Sequence, residues 1–327
     1  LNVTSNTKVV AKDWLLDPEN VTIDNSTGTV GNEKVGAAII QNSLNSGTSV
    51  TIQADNDINV NQAITYNQST LELNAGNNIN INKQIDVTVT GGLSLVYAQT
   101  NEDGNYNVNA KVNLADGTTF KTKKGADTEI DWSILNDATA LQNMNSNKSG
   151  NYVVGTDINL SSITNWTAIG ASAYGFGGKF DGLGHVLTGL TINEPTKDYQ
   201  GLFGGTSDNA LIRNISLNNV NIIGRNRVGG LVGHNSGTIQ NSSTSGTVKG
   251  NEPAGGLVGG NYGTIQNSSA NVTVTAEGDD KRYQGGLVGF NSGTIQNSYA
   301  TGNLSNGRYF IGGLVGSNKG TIEDSYA

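Results

Sequence analysis

The sequence contains no cysteine among its 327 residues, and it has only 3 prolines, 2 histidines and 1 methionine. The absence of cysteine excludes thiol catalysis and thiolate metal sites. Hydrophobic residues make up 35% of the chain and charged residues 14%, and both values are low for a globular enzyme. No apolar run approaches the ~18 residues of a membrane span, so we expect no membrane insertion.

Positive charge is also scarce. Lysine and arginine together number 19 against 27 acidic residues, which gives a net charge of -8 and a sequence pI of about 4.7. This balance disfavours nucleic acid and anionic membranes as partners, because both require a basic face. Glycine is abundant, with 45 residues, beside much asparagine, threonine and serine. The glycines do not recur at every third position, which excludes collagen, and β-branched residues recur at fixed places, which favours an ordered fold.

A repeat dominates the second half of the chain. Four GGLVG motifs place their leucines at intervals of 26, 30 and 27 residues, and a degenerate copy, GLFGG, precedes them. These leucines are Leu202 in the degenerate copy, then Leu231, Leu257, Leu287 and Leu314. Eight residues after each GGLVG leucine comes an isoleucine, and nine residues after three of these isoleucines comes another aliphatic residue. Such self-similarity is typical of stacked supersecondary units.

The spacing within one repeat predicts short strands. The segments between aliphatic positions are too short for helices, and the linker G-x-N-x-G indicates a fixed turn, because glycine and asparagine tolerate left-handed backbone. Stacked coils would pair each strand in parallel with its copy, about 4.8 Å away. The linker asparagines, Asn235, Asn261, Asn291 and Asn318, would then stack at one corner. The sequence therefore predicts an all-β protein, a right-handed parallel β-helix (β-solenoid) with three short strands per coil.

The first half carries a shorter repeat with an offset of 21 residues, from Val50–Ile64 to Leu71–Ile85. Apolar and polar residues alternate strictly there, which predicts strands with one buried face. The best helical pattern is DATALQNM, beginning at Asp137 as a possible N-cap. We predict two parts of one continuous solenoid, residues 1–130 with coils of about 21 residues and residues 131–327 with coils of 26–30 residues.

Particular segments are similar to known families. The segments AKDWLLDPENVTI (Ala11–Ile23) and LNSGTSVTIQADNDINVNQAI (Leu44–Ile64) resemble filamentous haemagglutinin-like exoproteins of two-partner secretion. The second half resembles GLUG repeats, with FGGKFDGLGHVLTGLTI (Phe176–Ile192) as their usual lead-in. The resemblance implies export by an outer-membrane two-partner-secretion transporter, an extracellular or cell-surface location, and adhesion. The NPNL motif of the secretion region is missing, so we expect the chain to lie downstream of that region.

The variable loop before each GGLVG motif carries the residues that we predict to bind a partner. Stacking would bring them to one edge as a cationic and aromatic stripe in an otherwise acidic chain. Arginine and aromatic side chains are frequent contact anchors, and loops carry function on solenoids. We predict that a host-cell glycan or protein receptor contacts this stripe, which comprises Arg225, Arg227, Lys281, Arg282, Tyr283, Arg308, Tyr309 and Phe310. The alternative is that these loops are only solvated.

The sequence leaves three functions open. The first is a monomeric, non-catalytic bacterial adhesin, secreted or surface-exposed, whose rod displays binding loops. The second is a structural stalk that presents a distal toxin or receptor-capture module. The third is a polysaccharide-active β-helix enzyme, which would need paired carboxylates such as Asp55 with Asp57 or Glu277 with Asp279. Because both pairs are typical of solvated surface acids, the expectation is that the protein is not an enzyme.

No cofactor or metal is expected. The two histidines, His185 and His234, are far apart in the sequence and make a poor metal site. Asp181, in the lead-in segment, is expected to bond a turn, with calcium binding as the alternative.

Overall fold

A computed structural model of the chain describes residues 15, 16, 18–26, 33–278 and 281–327. Part of the segment 11–23, on which one resemblance rests, and the candidate acid Asp279 lie outside the described residues. The chain folds into two compact units. Unit 1 is Leu1–Ile134 with Val153–Thr156, and unit 2 is Leu135–Tyr152 with Asp157–Ala327.

The described residues of unit 1 form short strands and the helix α1 (Ala37–Asn45). In chain order its strands are β1 (Leu15–Leu16), β2 (Val21–Asp24), β3 (Lys34–Gly36), β4 (Val50–Ala54), β5 (Ile58–Val60), β6 (Ile64–Tyr66), β7 (Thr70–Ala75), β8 (Ile79–Ile81), β9 (Ile85–Val87), β10 (Gly92–Tyr97), β11 (Tyr106–Val108), β12 (Val112–Leu114), β13 (Thr119–Lys124) and β14 (Ile130–Asp131). They form three sheets, in the orders β1-β4-β7-β10-β13-β14, β11-β8-β5-β2-β3 and β12-β9-β6.

The register of unit 1 confirms the 21-residue repeat. Val50 in β4 pairs in parallel with Leu71 in β7, and Ile58 in the next strand, β5, pairs in parallel with Ile79 in β8. These side chains are completely buried, because alternation turns every second residue of each strand toward the core. Each of these coils has three strands, one in each sheet, as predicted. The last pair of the first sheet, β13 with β14, is antiparallel.

Helix α1 was not predicted. Its buried residues include Ala37, Ile40 and Leu44, whose spacing lines one face of a helix. Gly36 at the N-cap makes no side-chain hydrogen bond, so the usual start signal is absent. The predicted helix at 137–144 is confirmed as α2 (Ala138–Gln142) with a 3₁₀ turn at Asn143–Ser146, and Asp137 Oδ1 accepts the Ala140 N–H at 2.8 Å. Neither the length nor the hydropathy of the helices among the described residues meets the requirement for a membrane span.

The remaining strands are β15 (Ser133–Leu135), β16 (Asn151–Val154), β17 (Ile158–Asn159), β18 (Lys179–Asp181), β19 (Val186–Thr188), β20 (Thr191–Asn193), β21 (Phe203–Gly205), β22 (Leu211–Arg213), β23 (Ser216–Ile223), β24 (Val228–Gly229), β25 (Val232–Asn235), β26 (Thr238–Gln240), β27 (Ser243–Gly250), β28 (Ala254–Gly255), β29 (Val258–Asn261), β30 (Thr264–Gln266), β31 (Ser269–Ala276), β32 (Arg282–Gly285), β33 (Val288–Asn291), β34 (Thr294–Gln296), β35 (Tyr299–Ala300), β36 (Leu304–Ser305), β37 (Tyr309–Gly312), β38 (Val315–Asn318) and β39 (Thr321–Glu323).

Four stacked parallel sheets make up unit 2. Their strand orders include β18-β22-β26-β30-β34-β39, β17-β19-β23-β27-β31-β35, β21-β25-β29-β33-β38 and β24-β28-β32-β37. The first three correspond to the strands expected after each aliphatic anchor. The fourth adds a short strand immediately before each GLVG segment, so that the GGLVG coils carry one strand more than the coils of unit 1. The predicted all-β, parallel β-helix fold is confirmed.

The internal ladders of unit 2 follow the repeat. Leu231 donates its N–H to the carbonyl of Leu257, and Ile239 pairs with Ile265. The linker asparagines form the predicted ladder, with Nδ2···Oδ1 distances of 2.8 Å from Asn235 to Asn261, 2.8 Å onward to Asn291 and 2.7 Å onward to Asn318. The first glycine of each GGLVG motif approaches a backbone carbonyl so closely that an added Cβ would lie between 1.9 and 2.2 Å from its oxygen. Each of the four GGLVG coils therefore needs glycine at this position.

Candidate functional site

Two columns of side chains run along the loop edge of unit 2, one residue per GGLVG coil. The pairing of β24, β28, β32 and β37 places the residues two before the first glycine of each motif in one column: Arg227, Pro253, Tyr283 and Phe310. The pairing of β25, β29, β33 and β38 aligns a second column: His234, Gly260, Phe290 and Ser317. These columns are the framework of the candidate site.

The backbone explains why the first column is irregular. Arg227, Tyr283 and Phe310 all have a left-handed φ, between 54° and 57°, which is unusual for residues other than glycine. The proline ring holds φ of Pro253 near −65°, so this residue departs from the conformation that the other three share. The coil that contains Pro253, which we call the middle coil, therefore differs from the coils before and after it in backbone conformation as well as in side chain.

The middle coil leaves a gap in both columns, because Pro253 is short and Gly260 has no side chain. A cavity of about 380 Å³ opens at this point. We call it the notch, and it is lined by Asn226 and Arg227 from the preceding coil, by Asn251, Glu252, Pro253 and Tyr262 from the middle coil, and by Tyr283 and Phe290 from the following coil. Its volume falls in the range of roughly 300–1,000 Å³ that is usual for small-molecule sites.

Aromatic rings form most of the apolar surface of the notch. Tyr283 stacks on Phe310, with the ring centroids 5.0 Å apart, and meets Phe290 edge-on at 6.0 Å. Tyr262, from the turn after Gly260, lies between His234 at 4.6 Å and Phe290 at 5.7 Å and keeps 44% of its surface exposed. The side chain missing at Gly260 is thus partly replaced by a ring that reaches over from the turn.

His234 lies under this ring and is only 7% exposed. Its Nδ1 has no hydrogen-bond partner, and a Cβ added at Gly260 would lie 3.9 Å from this atom. Burial and, secondly, the nearby charge of Arg227 lower the pKa of His234 to about 4. The imidazole is therefore neutral near pH 7 and offers one ring nitrogen toward the middle coil.

The arginines of the loop edge differ in their partners. The Arg225 guanidinium donates to both carboxylate oxygens of Asp198, at 2.7 and 2.9 Å, and this pairing lowers the pKa of Asp198. Arg282 lies 3.2 Å from Glu252. Arg227 instead lies over the ring of Tyr199, 5.2 Å from its centroid, and among the described residues no carboxylate lies within 4.0 Å of it. Among the described residues, Arg227 is therefore the notch cation that forms no direct ion pair, and its charge acts on Asp198 only from a longer distance, where it helps to lower the pKa of that carboxyl.

The predicted stripe is divided by the structure. Arg227 and Tyr283 line the notch and Phe310 stacks behind Tyr283, whereas Arg225 and Arg282 are ion-paired. Arg308 lies over the ring of Tyr309, at 5.8 Å, and Lys281 has the left-handed φ of a turn residue. Partner binding by these eight residues stays a prediction.

Sequence reasoning missed the contribution of His234, Tyr262 and Phe290. All three occupy the variable positions of the G-x-N-x-G linker, which was interpreted only as a turn. The signal was that the residue at those positions changes from coil to coil and includes aromatic rings, although the turn itself requires only the conserved spacing of glycine and asparagine.

The other candidate residues have structural partners. Asp181 bonds a turn as predicted, because its Oδ1 accepts the Leu183 N–H at 2.9 Å, and its Oδ2 pairs with Arg213 Nε at 2.8 Å. Asp55 and Asp57, one of the candidate carboxylate pairs, both lie in the turn after β4, outside any strand, and Asp57 accepts hydrogen bonds from the next coil. Within the described chain, no three His, Asp or Glu side chains group as a metal site.

Acidification is expected to destabilise unit 2 through His234. The pKa of His234 is about 4 in the folded protein against 6.5 for the ordinary group, so the unfolded chain takes up the proton first. Stability therefore falls as the pH drops from about 6.5 toward about 4, and it is retained above that window. Urea denaturation at several pH values should show this fall in the free energy of unfolding. In the His234→Phe variant the fall should be smaller. A ring titration near 6.5 in the folded protein, followed by NMR, would contradict the buried neutral imidazole.

Comparison with known proteins supports the repeat interpretation. Residues 224–249, 250–275 and 283–305 match the GLUG motif, which confirms the predicted GLUG repeats in these segments. Halomucin of Haloquadratum walsbyi is 30% identical over 198 residues, and a "putative Gly-rich membrane protein" of Evansella cellulosilytica is 41% identical over 81 residues. The matches cover 54% and 24% of this chain, but only 2% and 9% of those proteins.

Among solved structures, this chain is similar to a "putative immunoglobulin A1 protease" from Bacteroides ovatus. The TM-score is 0.46 at 21% sequence identity, over 62% of this chain and 66% of that one.

Proposed function

We propose that this chain is part of an extracellular or surface-exposed bacterial repeat protein that binds a partner without catalysis, as an adhesin does. The observation that carries the proposal is the notch, where the GGLVG coils expose rings and an arginine on one edge. The partner is a host-cell glycan or protein receptor. Export by an outer-membrane two-partner-secretion transporter belongs to the same proposal.

The composition of the notch supports binding. Tyrosine, arginine and other aromatic residues dominate the energetics of recognition surfaces, and they are most effective where neighbouring groups exclude water. Tyr262, Tyr283 and Phe290 provide rings, and Arg227 provides a charge. Tyr283 and Phe290 are held on stacked strands, so they lose little conformational freedom when a ligand binds.

The acidic groups of the notch support a role without catalysis. Glycoside hydrolysis generally needs two carboxyl groups that face each other across the scissile bond. Among the described residues that line the notch, Glu252 is the one carboxylate, and it lies 3.2 Å from Arg282. An acid paired in this way is poorly placed to donate or accept a proton in a reaction.

Similar proteins support the surface location. One relative is named as a Gly-rich membrane protein and another as halomucin, and both are far longer than the segment they share with this chain. Repeat proteins of this kind present loops on a stacked scaffold.

The double variant Tyr262→Ala, Tyr283→Ala tests the proposed function. We expect labelled wild-type chain to bind epithelial cells or a glycan array, and the variant to bind at least about tenfold more weakly, because hot-spot rings contribute about 2 kcal/mol or more each. The matched control is Tyr299→Ala, a ring that is 40% exposed and stacks on Tyr326 at 5.3 Å outside the notch. A wild-type chain that binds neither cells nor glycans would contradict the proposal and favour the stalk.

A further inference from the structure

The geometry of the notch restricts the shape of what fits in it. Tyr283 and Phe310, in adjacent coils, stack 5.0 Å apart, close to the ~4.8 Å spacing of paired strands. On the opposite side of Tyr283 the column holds only the small ring of Pro253, and Tyr262 covers part of the space at Gly260, so the notch is the part of this layer that stays open. A flat ring placed in that layer would lie against Tyr283 at the same spacing. The notch therefore suits a ring-shaped group one layer thick.

The polar groups around this layer favour a sugar. A pyranose has an apolar C–H face that stacks on an aromatic ring and a rim of hydroxyl groups that need hydrogen-bond partners. Asn226 and Asn251 line the notch with amide groups that both donate and accept hydrogen bonds.

The charges of the notch favour an acidic sugar. Glu252 is compensated by Arg282, whereas Arg227 has no carboxylate within 4.0 Å among the described residues. A guanidinium that lies over a tyrosine ring keeps its N–H edge free for a planar carboxylate, which it binds with two parallel hydrogen bonds. The chain as a whole carries a charge of -8, so attraction of an anion to this point is local rather than general.

We propose that the notch binds a sugar that carries a carboxylate, such as a sialic or uronic acid. The sugar ring lies in the open part of the notch beside Pro253 and Tyr262 and stacks on Tyr283, and the carboxylate pairs with Arg227. This assignment rests on the proposed binding function and names its ligand class.

Calorimetric titration of the 327-residue chain with matched probes tests the assignment. Sialyllactose and trigalacturonate are the acidic probes, and lactose and the methyl ester of trigalacturonate are their neutral counterparts. We expect at least one acidic probe to bind about tenfold or more tightly than its neutral counterpart. The acidic probe that binds distinguishes a sialic acid from a uronic acid as the source of the carboxylate.

Arg227→Gln should weaken binding of the acidic probe by about 10- to 100-fold and leave the neutral probe unchanged, because charge-assisted hydrogen bonds are lost. The matched control is Arg225→Gln, which removes an arginine two residues away that is bound to Asp198 and does not line the notch. Arg227→Lys keeps the positive charge but lacks the two parallel N–H donors of the guanidinium. Its affinity for the acidic probe should therefore lie between those of the wild type and Arg227→Gln. Circular dichroism of each variant verifies the fold.

Two results would overturn the assignment. One is equal affinity for acidic and neutral probes with no effect of Arg227→Gln, and the other is failure of every probe to bind. Neither result decides the proposed function, which depends on whether the Tyr262→Ala, Tyr283→Ala variant loses cell or array binding. A protein receptor, for example, would give binding to cells that depends on the rings without any response to the sugar probes.

Discussion

Asp181→Ala is expected to lower the free energy of unfolding of unit 2 by about 3–5 kcal/mol. The Asp181 carboxylate is completely buried, and its Oδ2 lies 2.8 Å from Nε of Arg213, whose side chain is 6% exposed. Its Oδ1 accepts hydrogen bonds from the Leu183 N–H and from Asn214 Nδ2, at 2.9 and 3.0 Å. Alanine leaves a guanidinium buried without this counter-charge and two donors without their acceptor. Denaturant unfolding followed by circular dichroism measures the loss.

An exposed pair in the same unit provides the control. Asp198 binds Arg225, whose side chain is 53% exposed, so solvent screens the pair and replaces the lost contacts. Asp198→Ala should therefore cost at most about 1 kcal/mol. Asp181→Leu combined with Arg213→Leu should recover part of the loss, because it removes both charges together. If Asp181→Ala were as mild as Asp198→Ala, the buried pair would not be a main stabilising element of unit 2.

Asn261→Ala is expected to cost about 2–4 kcal/mol, because it breaks the buried asparagine ladder in the middle of unit 2. Asn261 is completely buried; its Oδ1 accepts from Asn235 at 2.8 Å, and its Nδ2 donates to Asn291 at 2.8 Å and to the Gly263 carbonyl at 3.2 Å. Alanine removes these three bonds in a region that water does not reach, although Asn235 Nδ2 keeps its bond to the Gly237 carbonyl and the Gly263 carbonyl keeps that from the Thr294 N–H. A buried group that is left unsatisfied costs about 1–3 kcal/mol.

A glutamine ladder of the same coils serves as the comparison. Gln266 lies five residues further along the coil and accepts from Gln240 at 3.3 Å on the half-exposed face of β30. Gln266→Ala should cost no more than about 1 kcal/mol, because water replaces the lost bond. Urea midpoints of the two variants, with hydrogen exchange of the Gly263 region, separate the two cases. Equal midpoints would show that the interior ladder is no more important than the surface one.

The stacked fold could be predicted from the sequence, because each residue of a solenoid contacts its counterpart one repeat away and this distance along the chain is nearly constant. The offset from Val50 to Leu71 is a spacing in the sequence and also a strand pairing in the structure. The same holds from Ile239 to Ile265. Where the repeat stops, the prediction weakened: α1 lies outside any repeat and begins at Gly36 without a capping side chain, so it was missed.

The sequence predicted only part of the candidate site. Alignment of the coils placed Arg227, Tyr283 and Phe310 in one column, and the pairing of their strands confirms that register. The alignment also placed Pro253 in this column, but it did not indicate that a cavity opens beside it. It also did not indicate that Tyr262, from the turn of the same coil, borders the resulting cavity.

The division between what the sequence specifies and what the folded chain adds has a physical cause. Repeated aliphatic residues specify which strands stack, because a coil buries its apolar side chains only where they match those of the neighbouring coil. The constant spacing of these residues can be recognised in the sequence itself. Whether a charged side chain is neutralised depends on groups brought together from different coils, as with Asp198 at Arg225 and Tyr199 beneath Arg227. Such contacts follow no constant offset along the chain, so only the three-dimensional arrangement distinguishes the notch arginine from the other arginines on this edge.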